Sequence, residues 1–179
     1  MDLFDFVYKE NVFSKDFCDQ KLKTLEQSRW LPHRWTVNEG AWQDVDRKDF
    51  SVLHQYVIQK QMVGEIVSFV KRYGEKVSGY FHVNEFSPIR FNKYEEGEGI
   101  REHVDHIYSL FDGDKKGIPV ISLVGVFNDD YDGGELFLCG EKVELKTGDV
   151  LVFPSLFMYP HMVTEVTKGV RYSWVSWGY

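Results

Sequence analysis

The second half of the chain consists of short apolar segments separated by turn signals, and this pattern constrains the fold more than any other feature. Beyond Gly79 such segments follow one another at close intervals. Asp132-Gly133-Gly134 and Thr147-Gly148-Asp149 supply turns between them. The predicted strands cover residues 80–86, 90–94, 120–127, 135–138, 143–145, 150–153, 162–166 and 171–177. So many short strands in a small unit favour a jelly roll or cupin-type barrel.

The first 79 residues show helical periodicity instead. Ser14 is suited to cap a helix that runs to about residue 28. A second helical region is predicted between about residues 52 and 73, with Gly74 as its C-terminal stop and Gly64 as a candidate interruption. The predicted fold class is therefore mainly β with N-terminal helices (α+β).

Length and composition agree with one globular domain. A chain of 21.0 kDa with 43% apolar residues can bury a sizeable core. We expect one domain over residues 1–179, in which 1–79 form a helical support and 80–179 a catalytic β core. The start of the chain lacks the basic and apolar regions of a signal peptide, and no stretch approaches the length of a transmembrane helix. A cytoplasmic protein without membrane contact is the expectation.

Three residues of the strand-rich half have the chemistry of a metal site. His103-x-Asp105 places an imidazole and a carboxylate two residues apart, which on a strand projects both side chains from one face. His161 has to come from another strand and complete the group. Two imidazoles and one carboxylate with open coordination positions form the facial triad of non-haem Fe(II) oxygenases. These three residues are the predicted metal ligands and catalytic centre.

Arg171 follows ten residues after His161, within an apolar terminal strand. A buried arginine requires an anion, and its planar guanidinium meets a carboxylate with two hydrogen bonds. Ser173 lies two residues further on and faces the same way on a strand. The position therefore predicts that Arg171 binds an anion such as a carboxylate.

Two longer stretches around these residues resemble the Fe(II)/2-oxoglutarate-dependent dioxygenases. The downstream stretch looks most like the prolyl-4-hydroxylase branch, including the bacterial PKHD-type hydroxylases, and the segments 129–136 and 146–154 belong to the same resemblance. The resemblance covers roughly residues 80–179. The two stretches are Asn92-x-Tyr94-x-x-Gly97-x-x-Ile100-x-x-His103-x-Asp105 and Pro160-His161 through Gly169-Val170-Arg171.

The resemblance implies a double-stranded β-helix with Fe(II) at its open end, 2-oxoglutarate as co-substrate and O2 as oxidant, with ascorbate as a supporting reductant. Succinate and CO2 would be released as a substrate is hydroxylated. Arg171 with Ser173 would bind the C5 carboxylate of 2-oxoglutarate. Tyr94 occupies the position where related enzymes offer a phenol to the co-substrate, and Asn92 the corresponding amide position of AlkB-type demethylases. Trp177 would pack beside the site.

Two departures from the family pattern concern the substrate. Several prolyl hydroxylases carry a tyrosine in the strand equivalent to 120–127 that also contacts 2-oxoglutarate, whereas this chain has Gly125-Val126. The tyrosine that often precedes the His-x-Asp motif is Ile100. Both changes weaken an inference of prolyl specificity. The long segments 33–49 and 107–117 are candidates for a substrate lid.

The leading hypothesis is hydroxylation of a prolyl or other side chain of a peptide or protein. The alternatives are an AlkB-like nucleic-acid demethylase, a small-metabolite hydroxylase and a non-enzymatic cupin-like binding module. The Arg-x-Asn-x-x-x-Arg ending of the AlkB family is absent, and a net charge of −7 disfavours a nucleic-acid partner bound through its phosphates. An intact triad together with Arg171 argues against a pure binding module.

Overall fold

In the computed structural model of the chain, the structure describes residues 2–33, 35–36, 42–43, 50–77, 79, 81–105 and 118–179. A short 3-10 helix spans Leu3–Phe6, and the α-helices are α1 (Lys15–Glu26) and α2 (Tyr56–Lys76). The strands are β1 (Tyr8–Asn11), β2 (Leu31–Pro32), β3 (Trp35–Thr36), β4 (Trp42–Gln43), β5 (Ser51–Leu53), β6 (Arg90–Tyr94), β7 (Ile100–His103), β8 (Ile121–Val126), β9 (Asp132–Gly133), β10 (Leu136–Leu138), β11 (Glu141–Val143), β12 (Asp149–Pro154), β13 (His161–Val163), β14 (Val166–Lys168) and β15 (Arg171–Gly178).

Two antiparallel sheets form a β-sandwich. The major sheet has the order β1-β12-β8-β15-β6-β5-β2, and the minor sheet has the order β11-β10-β13-β7. Two further strand pairs, β14 with β9 and β3 with β4, flank them. The prediction of a mainly β chain with N-terminal helices and a jelly-roll core is confirmed.

The strands of the major sheet separate two apolar cores by simple alternation. On β12, Val150 and Val152 pack in the cluster that contains both helices, whereas Leu151 and Phe153 pack in the cluster between the two sheets. Successive side chains of a strand point to opposite faces, so each strand contributes to both layers. The major sheet is therefore covered on both faces, by helices outside and by the minor sheet inside.

Helix α1 matches its sequence signals closely. The Ser14 side chain accepts a hydrogen bond of 3.2 Å from the backbone N–H of Phe17, which satisfies one of the free amides of the first turn. Cys18 and Leu25 are fully buried against the sheet. The predicted end near residue 28 lies within two residues of the observed end, which is ordinary fraying of a helix boundary.

Helix α2 begins later than the predicted residue 52. Residues Ser51–Leu53 form β5 instead, where Val52 pairs with Asn92 of β6. The helix is capped by Gln55, whose side chain accepts a hydrogen bond of 3.1 Å from the N–H of Val57. Pairing with β6 thus overrides the helical pattern at the start of this segment.

The predicted stop at Gly74 was wrong, because α2 continues to Lys76. The chain turns only at Gly79, which has a φ of 66° and donates a hydrogen bond of 2.8 Å from its N–H to the carbonyl of Gly74. Such a positive φ suits glycine, which has no Cβ. Gly64 lies inside the helix without interrupting it.

Three predicted strands differ from the structure. The described residues of segment 80–86 form no ladder; the amides of Asn84 and Glu85 bond to the carbonyl of Tyr179. The segment predicted as 162–166 is divided between β13 and β14. The strand predicted at 143–145 is β11, which starts at residue 141, because Cys139 and Gly140 both take positive φ and close a tight turn.

The N-terminal part of the chain supplies strands as well as helices. β1 pairs with β12 at one edge of the major sheet, and β5 with β2 extends the sheet beyond β6 at the other. We therefore propose that residues 1–179 form one domain, in which 1–79 support the core 80–179 partly by completing its sheet. In the described part of the chain, no helix is long and apolar enough to cross a membrane. The lid candidates at 34, 37–41, 44–49 and 107–117 lie outside the described residues.

The contact between β8 and β15 allows a matched test of packing. A Cβ atom at Gly125 would collide with the indole of Trp174, whereas a Cβ at Gly64 would meet nothing within 4 Å. We expect Gly125→Ala to lower the free energy of unfolding by about 1–3 kcal/mol through overpacking. Gly64→Ala, the control, should raise it by roughly 0.5–1 kcal/mol through helix propensity. Urea unfolding measures both, and equal effects of the two substitutions would contradict the packing.

Candidate active site

The structure brings His103, Asp105 and His161 together at one end of the sandwich. His103 ends β7 and His161 begins β13, and the two residues lie directly opposite each other in antiparallel pairing. Their ring centroids are 4.2 Å apart. Asp105 lies two residues beyond the end of β7, where its carboxylate oxygens are 3.8 Å from Nε2 of His103 and 3.7 Å from Nε2 of His161. The three donor atoms lie within 4.8 Å of one another, which suits a single metal ion.

The backbone determines which nitrogen of each imidazole faces the metal position. Nδ1 of His103 lies 2.9 Å from the carbonyl oxygen of Arg101, and Nδ1 of His161 lies 3.1 Å from that of Tyr159. A carbonyl oxygen can only accept, so each Nδ1 carries the proton and donates it. Each Nε2 is therefore left with its lone pair directed at the carboxylate of Asp105, as metal ligation requires.

Asp105 is held by hydrogen bonds that the sequence did not reveal. The hydroxyl of Ser122 donates to Oδ2 of Asp105 at 2.7 Å, and Ser122 shares a further hydrogen bond of 2.6 Å with Ser155. The Trp177 side chain also hydrogen-bonds this carboxylate. Ser122 belongs to the face of β8 that points between the sheets. A polar residue at such a position is the sequence signal that could have identified it as part of the site. These partners fix the carboxylate before any ion arrives.

Burial and mutual repulsion keep the site ready for a cation. Burial and, to a smaller extent, the nearby His161 lower the pKa of His103 to about 4. Burial raises the pKa of Asp105, but the two histidines and the hydrogen bonds from Ser122 and Trp177 outweigh it, so the pKa lies below its ordinary value. At neutral pH His103 is therefore neutral and Asp105 ionised, the forms in which they bind metal.

Arg171 is a buried cation that has no anionic partner among the residues the structure describes. Its exposure is 1%, and Nη1 donates a hydrogen bond of 2.8 Å to the hydroxyl of Ser173. Nε is buried without a hydrogen-bond partner. A buried charge without a counter-ion is costly, and an orphaned donor adds to the cost. The arrangement therefore fits a ligand with a carboxylate.

Tyr94 and Asn92 lie opposite this pair on the neighbouring strand. Tyr94 pairs with Arg171 and Asn92 with Ser173 in the register of β6 and β15. The Arg171 guanidinium lies 5.0 Å from the centre of the Tyr94 ring, within cation–π distance. Asn92 is buried, and its Oδ1 accepts a hydrogen bond of 3.2 Å from Nε of Arg90.

All seven predicted site residues line one pocket between the sheets, together with Trp177 and residues that the sequence reasoning missed. Sequence reasoning missed one polar residue of the pocket wall, Arg90. Its side chain lies on the same face of β6 as those of Asn92 and Tyr94, which is the face toward the pocket. On β8 the pocket-facing residue is Val124, while Gly125 packs against Trp174 on the other face. Val124 therefore occupies the wall where a larger side chain could have contacted a co-substrate.

The model of the 2OG-Fe(II) oxygenase superfamily matches residues 89–179, just over half of the chain and the part that carries every predicted site residue. The chain belongs to this superfamily. It is 32% identical over 174 residues to a PKHD-type hydroxylase of Thermosynechococcus vestitus, an alignment that covers 94% of this chain and 75% of that protein. The oxygenase is thus of the PKHD type, and Fe(II) and 2-oxoglutarate are its cofactors.

Two solved structures share the fold of the oxygenase. A prolyl-4-hydroxylase of Pseudomonas putida superposes with a TM-score of 0.69 at 19% identity, over 96% of this chain and 91% of that one. A prolyl hydroxylase of Trichoplax adhaerens, in complex with a hypoxia inducible factor peptide fragment, gives 0.72 at 17% identity, over 98% and 84%. At these identities the likeness shows the jelly-roll fold.

The hydrogen bond from Ser122 predicts a loss of metal affinity without it. Ser122→Ala leaves Asp105 free to turn, so we expect the dissociation constant for Mn(II), an O2-stable substitute for Fe(II), to rise about 10-fold or more. Calorimetric titration of the metal-free oxygenase with Mn(II) measures it. Ser176→Ala is the control, because Ser176 is equally buried but bonds to Ser87 on the outer face. Equal Mn(II) affinities in the two variants would contradict this role.

The lowered pKa of His103 predicts a pH dependence of stability in the metal-free oxygenase. The unfolded chain, in which this histidine has a pKa of about 6.5, takes up the proton first as the pH falls. The free energy of unfolding therefore keeps its full value, as far as His103 is concerned, above about pH 7. It decreases as the pH falls toward about 4, and His103 accounts for at most on the order of 3 kcal/mol of this decrease.

Urea unfolding at several pH values between these limits tests this decline. His103→Gln should flatten the dependence, whereas His54→Gln, at an exposed histidine, should not. Parallel curves for wild type and His103→Gln would contradict the assignment.

Proposed function

We propose that this oxygenase hydroxylates a side chain of a peptide or protein, with a prolyl residue as the first candidate, and releases succinate and CO2 from 2-oxoglutarate. The observation that carries the proposal is the buried Arg171 guanidinium, which lacks a carboxylate partner among the described residues and shares a pocket with a complete set of metal donors. The donor set suits Fe(II), and the guanidinium suits the free end of a dicarboxylic acid.

His103, Asp105 and His161 would hold the iron. They would offer two imidazole nitrogens and one carboxylate oxygen, and a metal held by these three protein ligands would keep positions for the co-substrate and O2. The carbonyls of Arg101 and Tyr159 keep both Nε2 atoms available, and the chain therefore needs little rearrangement on metal binding.

Arg171, Ser173 and Tyr94 would orient the co-substrate. The hydroxyl of Ser173 already accepts from Arg171, so its own proton is available to a carboxylate of 2-oxoglutarate. Tyr94 offers a phenolic donor on the facing strand, and Asn92 keeps an amide donor beside it. When bound, Fe(II) and 2-oxoglutarate supply the activation of O2, while the chain supplies orientation and excludes water.

A peptide substrate is favoured by the solved neighbours, both of which are prolyl hydroxylases and one of which is in complex with a peptide. The family membership makes the chain an enzyme, and the non-enzymatic binding module is set aside. An acidic chain with a net charge of −7 has little electrostatic attraction for nucleic acid, which disfavours the demethylase alternative.

Formation of succinate from 2-oxoglutarate, followed by NMR with Fe(II), ascorbate and O2, tests the proposal. We expect wild type to produce succinate slowly alone and faster with a proline-containing peptide. His103→Ala should abolish turnover by removing a metal ligand. Arg171→Ala should weaken 2-oxoglutarate binding about 100-fold or more, because the bound carboxylate loses its charge-assisted hydrogen bonds to the guanidinium.

Arg171→Lys keeps the positive charge but loses the planar fork, and should still weaken the binding of 2-oxoglutarate about 10-fold. The matched control is Arg72→Lys, at an exposed arginine paired with Glu10 on the helical side. Wild type that neither binds 2-oxoglutarate with metal nor forms succinate would refute the proposal. Stimulation by nucleosides or free amino acids instead of peptides would reassign the substrate.

A further inference from the structure

Arg90 is a second arginine in the active-site pocket, and the proposed roles do not use it. It is the first residue of β6 and shares the pocket-facing side of that strand with Asn92 and Tyr94. Lys93, by contrast, belongs to the opposite face of the strand, where it pairs with Glu95. The phase of β6 therefore directs one cation into the pocket and keeps the other outside.

Three neighbouring side chains hold the Arg90 side chain in place. Its guanidinium lies 5.6 Å from the ring centre of Phe50 and 5.3 Å from that of Trp177, between two aromatic walls. Nε donates to Oδ1 of Asn92 at 3.2 Å. Its two terminal amino groups have no hydrogen-bond partner in the described part of the chain. Burial lowers the pKa of Arg90, and Tyr94 and Asp105 only partly offset this.

A planar guanidinium held by two rings and one amide, with its outer edge unpaired among the described residues, is preorganised to bind an anion. The rings and Asn92 take the faces and the inner nitrogen, which leaves the fork that matches a carboxylate.

The anion at Arg90 is not the C5 carboxylate of 2-oxoglutarate. Tyr94 faces Arg171 across the sheet, and Arg90 lies four residues earlier, which is about 13 Å along a strand. A five-carbon diacid with one end at Arg171 and the other at the metal ligands has no carboxylate left for Arg90. Arg90 also lies near enough to Asp105 and His103 for their charges to interact. It therefore borders the metal position from the side away from Arg171.

The charges of the filled site point the same way. Fe(II) contributes two positive charges, and Arg171 and Arg90 contribute one each. Asp105 and 2-oxoglutarate together carry three negative charges. Among these groups and the described residues that line the pocket, one positive charge stays uncompensated, and the low dielectric constant of the pocket makes its energetic cost large. A singly charged anion from the substrate would balance it.

We propose that Arg90 binds a carboxylate of the substrate to be hydroxylated and thereby places the neighbouring C–H bond at the metal. This inference rests on the proposed oxygenase function and adds the chemical class of the substrate. The carboxylate belongs to a free amino acid, a peptide C-terminus or an acidic side chain. Without it the substrate leaves Arg90 unpaired, and this penalty is the source of selectivity.

Three pairs of probes separate these sources, each pair differing by one charge. They are L-proline and L-prolinamide, acetyl-Ala-Pro as its free acid and its amide, and acetyl-Asp-Pro-amide and acetyl-Asn-Pro-amide. Full-length oxygenase is loaded with Mn(II) and 2-oxoglutarate under nitrogen, and paramagnetic broadening of the probe's proton NMR signals reports binding beside the metal. We expect the member of at least one pair that carries the carboxylate to bind about 10-fold or more tightly than the partner that carries an amide there.

Arg90→Met keeps the length of the side chain and removes its charge, and the preference should fall to within about twofold. Arg90→Lys should retain only part of it, because lysine lacks the planar fork. Lys93→Met, which removes a cation from the other face of the same strand, should keep the wild-type preference. A structural defect in Arg90→Met would weaken both members of a pair equally, so the ratio isolates the recognition of charge.

Equal binding of the carboxylate and amide members in all three pairs would overturn the proposal. So would a preference that persists in Arg90→Met, since the carboxylate would then bind the metal itself. A loss of 2-oxoglutarate affinity above about tenfold in that variant would assign Arg90 to the co-substrate instead. Failure of the proposed oxygenase function gives a different result from failure of the Arg90 proposal. Wild type would then form no succinate with any probe, whether or not it prefers the probes that carry a carboxylate.

Discussion

The pleat of β15 is the constraint on which both the core and the site depend. Tyr172 and Trp174 point to the helical layer, while Arg171, Ser173 and Trp177 point into the pocket between the sheets. Because side chains alternate with a period of two, these two sets cannot be repositioned independently. A slip of one residue would bring the indole of Trp174 into the pocket and the guanidinium of Arg171 against the helices. The packing of Trp174 on Gly125 opposes such a slip, so the apolar core enforces the geometry of the polar site.

This arrangement leaves charged groups inside the fold whose interactions are incomplete. Arg171 has an orphaned Nε, and the repulsion between His103 and His161 lowers the basicity of His103. Both features cost stability in the chain alone and favour ligands that relieve them: an anion at the arginine and a cation at the histidines. Ligand binding and folding stability are thereby linked, since anything that binds only the folded state stabilises it. The helices and the outer core compensate for a site preorganised in this way.

Much of this could be predicted from sequence, and the residues show why. The strands at 90–94 and 171–177 were predicted from short apolar segments between turn signals, and their side-chain phase then followed from the two-residue period of a strand. The errors at the start of α2 and at segment 80–86 arose where pairing with a distant strand or with Tyr179 decides the conformation. Local pattern carries no information about such partners. Ser122 could have been noticed as a polar residue on a buried strand, but its hydrogen bond to Asp105 depends on a contact that the local pattern does not specify.

Trp177 connects the two functions of the pocket. Its side chain hydrogen-bonds the carboxylate of Asp105, and its ring packs on the guanidinium of Arg90. Asp105 and Arg90 are therefore both held by the rigid side chain of Trp177, whose position is determined by β15. Along β6 the chemistry changes in order, from Tyr94 opposite Arg171, through Asn92 opposite Ser173, to Arg90 opposite Val175. The co-substrate end can stay constant while a change at the first residue of β6 alters substrate selection, because two pleats of the strand separate them.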